Sequence, residues 1–446
     1  MTRRCAPAAC WPSTWTNGFP GSPRSLSSST ERLDTMEGKN AVTAMQLPLS
    51  MRLLNQLGSG VGRVAFELNA DRLMAEARKQ TGLNDFGDEG FIEPLCRLTR
   101  ALEEEGDLSL AGRLSIRRGL LRLLVQRLHI AADLARHPEI RGVPIERPVF
   151  ILGFMRTGTT LLFNLLARMP GARAPKMWEL LWPSPPPDPA TEASDPRLER
   201  ARLFAEQAHK ALPAMKTIHP FEPTAPEECL FLLGLSFTDF AAESRAHLPG
   251  YMSWLMSTDR VPAYRYYREV LQLLTWKSRA HHLVLKSPIH LYSLDALLTV
   301  FPDARIIQTH RDPREVVASG CSMYEASRVL SVRNHDPVAL GRQWLDTWGQ
   351  AMDRAMAVRA KASPEQFLDV HYDELMADPT GQVQRIHRWA GLGGEEAAAG
   401  VVQSWLAENP RHKHGVHQYT LEHYGLDAQR VAERFRAYTE RFNVLK

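Results

Sequence analysis

The chain has 446 residues, 44% of them apolar and 23% charged, with 54 Lys plus Arg against 50 Asp plus Glu for a net charge of +4. This balance excludes a disordered chain, a collagen or repeat fibre, and a DNA binder held by charge alone. The length allows two or three domains, or one large domain with an added layer. Five cysteines, at 5, 10, 96, 229 and 321, are scattered and lack CxxC spacing. They predict neither a disulfide framework nor structural zinc, and they fit a reducing, cytoplasmic compartment. No run of about 18 apolar residues is present, so no membrane span is expected.

Residues 1–45 are rich in Pro, Ser, Thr and Gly, with the run Ser25-Leu26-Ser27-Ser28-Ser29-Thr30. Such a segment lacks the apolar area to offset its ordering entropy. It reads either as a disordered tail or as an over-extended gene start, with Met36, Met45 and Met51 as later beginnings. Residues 51–140 turn helical, with segments near 60–80, 91–105 and 112–136. In the last of these Leu121, Leu124, Val125, Leu128 and Ile130 follow near-helical spacing. Pro144 to Pro148 breaks the pattern, and Val149-Phe150-Ile151-Leu152 then reads as a buried strand.

Further strands are expected at 282–285, 305–308 and 367–370. Helices are expected over 159–169, 196–211, 226–242, 261–280, 289–300, 313–330, 337–360, 380–391 and 427–441. Strands separated by helices predict an α/β fold, a parallel sheet with helices on both faces, over residues 145–446. Residues 170–196 hold eight prolines and read as a rigid loop rather than a domain linker.

The sharpest local signal is Gly153-Phe154-Met155-Arg156-Thr157-Gly158-Thr159-Thr160, where a strand ends and a helix opens. Backbone N–H groups at such a turn cradle an anion. The Gly153-x4-Gly158 spacing is that of a P-loop, but Thr159 stands where the triphosphate-binding lysine belongs. The cation sits instead inside the loop, at Arg156, which suits a 5′-phosphate carrying another group. A plain strand-to-helix turn is the competing reading.

This loop resembles the 5′-phosphosulfate loop of sulfotransferases that use 3′-phosphoadenosine 5′-phosphosulfate (PAPS), and its arginine is similar to the bacterial and tyrosylprotein branches. Met155 and Thr157 depart from the usual proline and serine. Phe301 to Ser319, with Arg311-Asp312-Pro313 at its centre, resembles the family's 3′-phosphate motif. Asp312 is a good N-cap, Pro313 a good first helical residue, and Ser319 follows on the same face. Leu285-Lys286-Ser287-Pro288 resembles the segment whose lysine stands beside the bridging oxygen of the sulfuryl group. Residues 411–426 look like the loop that closes over the nucleotide, with Lys413 as a candidate 3′-phosphate contact. Its histidines, His412, His414, His417 and His423, lack fixed ligand geometry, so no metal is expected.

The resemblance implies a P-loop-like three-layer sandwich, preceded by the N-terminal helical segment, that moves a sulfuryl group from PAPS to a hydroxyl or amine of a small, hydrophobic acceptor. It implies nucleotide contacts from Arg156, Thr157, Gly158, Thr159, Thr160, Arg311, Ser319 and Lys413. Arg156 and Lys286 would stabilise charge. The related branches place a glutamate base shortly after the phosphate-loop helix, and Glu179 fits that position. His219 and the Glu227-Glu228 pair are alternatives, although acidic residues in a first helical turn often serve only the helix dipole. A small-molecule kinase and a non-catalytic nucleotide-binding protein are the competing functions. The expected partner is a small acceptor rather than nucleic acid, with a homodimer as the candidate assembly.

Overall fold

The computed structural model describes residue 55 and residues 66–444, apart from 239, 279–280 and 411–418. The tail at 1–45 and Lys413 therefore lie outside the described residues. Three helices open the described chain: α1 (Ala70–Thr81), α2 (Ile92–Glu104) and α3 (Leu110–Arg136). Each has a sequence-encoded start or stop. Asn69 accepts a hydrogen bond from Arg72 N at the head of α1, and Gly82 ends it in the left-handed conformation. Ser109 caps α3 by accepting from Gly112 N.

The expected parallel sheet is present. Its strands are β1 (Val149–Gly153), β2 (Ala172–Arg173), β3 (His282–Lys286), β4 (Arg305–His310) and β5 (Phe367–His371), in the order β2-β3-β1-β4-β5, all parallel. Alternate side chains enter different cores. Phe150, Leu152, Leu283, Leu285 and Ile306 face the large cluster shared with α3, whereas Val149, Ile151, Val284 and Ile307 face the smaller one. Both faces are therefore covered, which explains why β1 is an unbroken apolar run.

The helices that matter for the site are α4 (Thr159–Leu166), α5 (Met177–Leu181), α6 (Pro196–Ala211), α7 (Val261–Thr275), α8 (Pro313–Val329), α9 (Pro337–Arg359), α10 (Tyr372–Ala377) and α11 (Pro379–Ala390). Helix α4 and residues of α10 and α11 pack on the smaller-cluster face. Residues of α7, α8 and α9 join the larger cluster.

Several expectations need correction. Residues 226–242 do not form one helix: they break into Leu230–Leu233 and Gly234–Ser236, with the next helix starting at Ala241. The reason is that backbone amides here pair sideways, Glu227 N to Pro175 O and Cys229 N to Lys286 O, while Phe237 takes a left-handed φ of 52°. Residues 289–300 start as a 3-10 helix, and 427–441 split at Phe435. The short edge strand β2 carries too few residues to show a pattern in the sequence. Among the described residues no helix is long and apolar enough to cross a membrane.

Helix α3 offers a paired stability test. A methyl at Gly112 would collide with the carbonyl oxygen of Ser331, whereas one at Gly119 meets nothing closer than Arg245 Nη1 at 3.9 Å. Gly112→Ala is expected to destabilise by about 1–3 kcal/mol through overpacking. Gly119→Ala is expected to stabilise by up to about 1 kcal/mol through helix propensity. Denaturant midpoints of the two variants check both signs.

Candidate active site

The phosphate loop is fixed by its neighbours before any ligand is considered. Gly153 has a φ of 151°, and a Cβ there would fall 2.7 Å from the Thr309 carbonyl oxygen on β4. Only glycine permits that approach. Thr157 is fully buried; its Oγ1 donates to Phe154 O at 2.6 Å and pairs with Thr309 Oγ1 at 2.6 Å. Gly158, with a φ of 88°, caps α4, and a Cβ there would stand 3.0 Å from Leu375 Cδ2 on α10. Arg156 at the loop's apex is exposed and also left-handed, with a φ of 68°. Thr159 is buried and Thr160 exposed in the first turn of α4. The unpaired N–H groups of that turn and the glycine-shaped cradle are what a phosphate needs.

Arg311 follows β4 and reaches the loop from the side. Its Nη1 donates to the carbonyl oxygen of Arg156 at 3.1 Å. Its Nε and Nη2 engage Glu315 at 2.9 and 2.8 Å, and its guanidinium lies 4.0 Å from the Tyr372 ring centroid. Asp312 caps α8 by accepting from Arg314 N at 2.9 Å. Two turns on, Ser319 is buried, and the next residue, Gly320, lies against Met155 of the loop. One loop thus meets the arginine and the helix of the second motif.

On the other side of β1, Lys286 ends β3, its side chain only 2% exposed. Its Nζ donates to Glu228 Oε1 at 2.6 Å, and Ser287 Oγ lies 3.3 Å from Glu228 Oε2. Glu227 Oε1 accepts from Glu228 N at 2.8 Å, and Glu227 Oε2 pairs with His219 Nε2 at 3.1 Å. Two cationic groups and two carboxylates therefore form one nearly neutral cluster. Burial disfavours the charged form of His219, but the Glu227 carboxylate outweighs it and raises the imidazole above the ordinary histidine range. Burial likewise opposes the charge of Glu227, yet His219 and then Lys286 hold its carboxyl well below the ordinary range.

Glu179 stands apart from this cluster. It is 1% exposed, with one oxygen on Arg173 Nη2 at 2.5 Å and the other on Lys176 N at 2.7 Å. Both oxygens thus close the head of α5 and hold it to β2. Sequence reasoning missed these partners, along with β2 and the non-helical course of 226–229. Glu315 was legible as an i,i+4 mate of Arg311. Thr309, Tyr372 and the His219–Glu227 pair carry no local signal, because they meet only through the fold. Among the described residues no group of three or more His, Cys, Asp or Glu is placed to hold a metal ion.

A model of the sulfotransferase family matches residues 148–396, more than half of the chain. The chain belongs to that family. It is 35% identical to the crystal structure of sulfotransferase STF1 from Mycobacterium tuberculosis H37Rv, covering 82% of this chain and 98% of that one, with a TM-score of 0.74. STF9 from Mycobacterium avium is 28% identical, covers 84% of this chain and 97% of its own, and gives a TM-score of 0.77. The omega-hydroxy-beta-dihydromenaquinone-9 sulfotransferase Stf3 of Mycobacterium bovis is 27% identical over 296 residues, 62% of this chain and 71% of the relative. The protein is therefore a sulfotransferase with a P-loop-like α/β fold.

The charge cluster makes a titration prediction. Protonated His219 contributes stability that is present below its unfolded pKa and is lost as pH rises through its raised folded value. Ionised Glu227 contributes stability that is present above its unfolded pKa and is lost as pH falls through its depressed folded value. In an NMR titration His219 is expected to titrate above the usual ~6.5. Glu227→Gln is expected to lower that midpoint; an unmoved midpoint would exclude the pairing.

Proposed function

We propose that this sulfotransferase moves the sulfuryl group of PAPS to the hydroxyl of a small, hydrophobic acceptor, with Glu228 as general base. The observation that carries the nucleotide assignment is the 3.1 Å bond from Arg311 to the Arg156 carbonyl. It joins a 5′-phosphate cradle and a second anion site in one rigid unit, as a nucleotide phosphorylated at both 5′ and 3′ positions requires. The glycine-shaped loop, the first turn of α4, Thr159 and Thr160 would hold the 5′-phosphate. Arg311 and Ser319 would hold the 3′-phosphate; Lys413, the other candidate contact, lies outside the described residues.

In the reaction the acceptor oxygen forms its bond to sulfur while the bridging S–O bond breaks, and adenosine 3′,5′-bisphosphate leaves. Transfer through a loose, in-line transition state asks the protein mainly for positioning and charge stabilisation. Arg156 and Lys286 supply the charge, without a metal. A carboxylate takes the acceptor proton. Glu228 supports that role better than Glu179, because its side chain is 15% exposed against 2% and it lies against Lys286, the cation expected at the transferred group. His219 then serves through Glu227 rather than as the base.

Support for a hydrophobic alcohol comes from Stf3, whose named substrate is an omega-hydroxy menaquinone. We read residues 145–446 as the transferase domain and residues 51–140 as a wall of the acceptor pocket. The latter is supported by the 2.8 Å bond from Arg122 on α3 to Leu181 O on α5. We read the location as cytoplasmic from the buried free thiols of Cys229 and Cys321, although Cys96 is disulfide-bonded, contrary to the expectation of no disulfide.

Isothermal titration with adenosine 3′,5′-bisphosphate tests the nucleotide site. Arg311→Ala is expected to weaken binding by about 10- to 100-fold, the worth of a hydrogen bond to a charged group. Absence of binding to the wild type, or undiminished binding to the variant, would sink the PAPS assignment. Glu228→Gln is expected to lose about 10²–10⁴ in kcat while keeping nucleotide affinity. If Glu179→Gln instead shows that pattern and Glu228→Gln does not, the base is Glu179.

A further inference from the structure

We propose that the Lys286–Glu228 ion pair is a donor-operated catch: it masks the base until PAPS is bound and releases it when the sulfuryl group draws Lys286 away. The inference rests on the reading of Glu228 as the base.

The geometry supports a change of partner without a change of backbone. Glu228 N is held by Glu227 Oε1 at 2.8 Å, and the next amide, Cys229 N, donates to Lys286 O at 3.0 Å. The two residues are therefore fastened together along the main chain, and only their side chains are free to separate. The Lys286 ammonium has three donors. One meets Glu228 Oε1, and the only aromatic face near it is Phe163, 5.7 Å away among the described residues. A buried ammonium with spare donors is one cation for which two anions compete. Here these are the Glu228 carboxylate and an arriving sulfuryl group.

The surroundings decide what Glu228 does once the ammonium leaves. From β3 and its end it faces Lys286 and Ser287, and from its own loop it faces Glu227, His219 and Cys229. Tyr324 on α8 lies within its electrostatic reach. Glu227 stays ionised beside it, held by His219. A carboxylate that loses a cation and keeps a neighbouring carboxylate binds protons more tightly. Glu228 is then left without its cation and open to the acceptor hydroxyl when the donor is in place. With no donor each of its oxygens is engaged, one by Lys286 and one by Ser287, so an acceptor hydroxyl has to compete with the ammonium for the base. The catch makes productive binding ordered, donor first.

Calorimetric titration of PAPS without acceptor, in two buffers of different ionisation enthalpy at mildly acidic pH, reads the proton count of binding. Wild type is expected to take up on the order of a few tenths of a proton per site. Glu228→Gln is expected to bind PAPS without that uptake. Adenosine 3′,5′-bisphosphate, which lacks the sulfuryl group, is expected to produce no Glu228-dependent uptake. Should Glu228→Gln fail to fold, Lys286→Met, which removes the cation that the donor would draw away, is titrated instead and is expected to lose the same uptake. Uptake with PAPS that is unchanged in the variant overturns the catch. Turnover separates the two readings. Full turnover by Glu228→Gln removes Glu228 as the base, whereas lost turnover with no wild-type uptake removes only the catch.

Discussion

Thr157 and Thr309 meet through their hydroxyls at 2.6 Å, and most of the site is built outward from that buried contact. It fastens the phosphate loop to β4, the strand that delivers Arg311. The neighbouring Gly153 lets the two backbones approach, and Leu375 and Tyr372 close the other side of the loop at Gly158. A loop of this kind is useful only if its amides point one way without a ligand to hold them. Here their direction is set by core contacts, so little ordering entropy is left for binding to supply.

The electrostatics follow a second constraint. Lys286, Glu227, Glu228 and His219 are all removed from bulk water to different degrees, and an unbalanced charge among them would be costly. The arrangement balances itself: Lys286 with Glu228, His219 with Glu227. The same balance explains why the segment 226–229 is not helical. Its amides bind Pro175 and Lys286, which places both glutamates beside the strand end instead of on a helix surface. Arg311 and Glu315 repeat the pattern at the more exposed side of the loop.

The sheet, the loop and the Arg-Asp-Pro turn were legible because each depends on residues close in sequence. Apolar runs marked the strands, glycines marked the turn, and Asp312-Pro313 marked the start of α8. Nothing local in the sequence separates the surroundings of the candidate carboxylates. Glu179 and Glu228 look alike in the sequence, each acidic and near aromatic residues. What distinguishes them is that Arg173 and the Lys176 amide hold one, while Lys286 and Ser287 hold the other beside the phosphate loop, and both facts are set by how β2 and β3 pair. The helix expected at 226–242 failed for the same reason, since sideways main-chain bonds leave no trace in periodicity.

The strand order also has a metric consequence. Because β1 lies between β3 and β4, Lys286 and Arg311 rise from strands on opposite sides of the phosphate loop. Adjacent strands are spaced at about 4.8 Å, so β3 and β4 run about 10 Å apart, and the register sets Lys286, level with Ile151, back along the strands from Arg311, which follows the Thr309 level of Gly153. That interval is set by main-chain hydrogen bonds and not by loop length. Insertions in the connections would leave it unchanged, whereas loss of β1 pairing would alter it at once. The sheet therefore acts as a ruler, and the loops around it are free to vary in reading different acceptors.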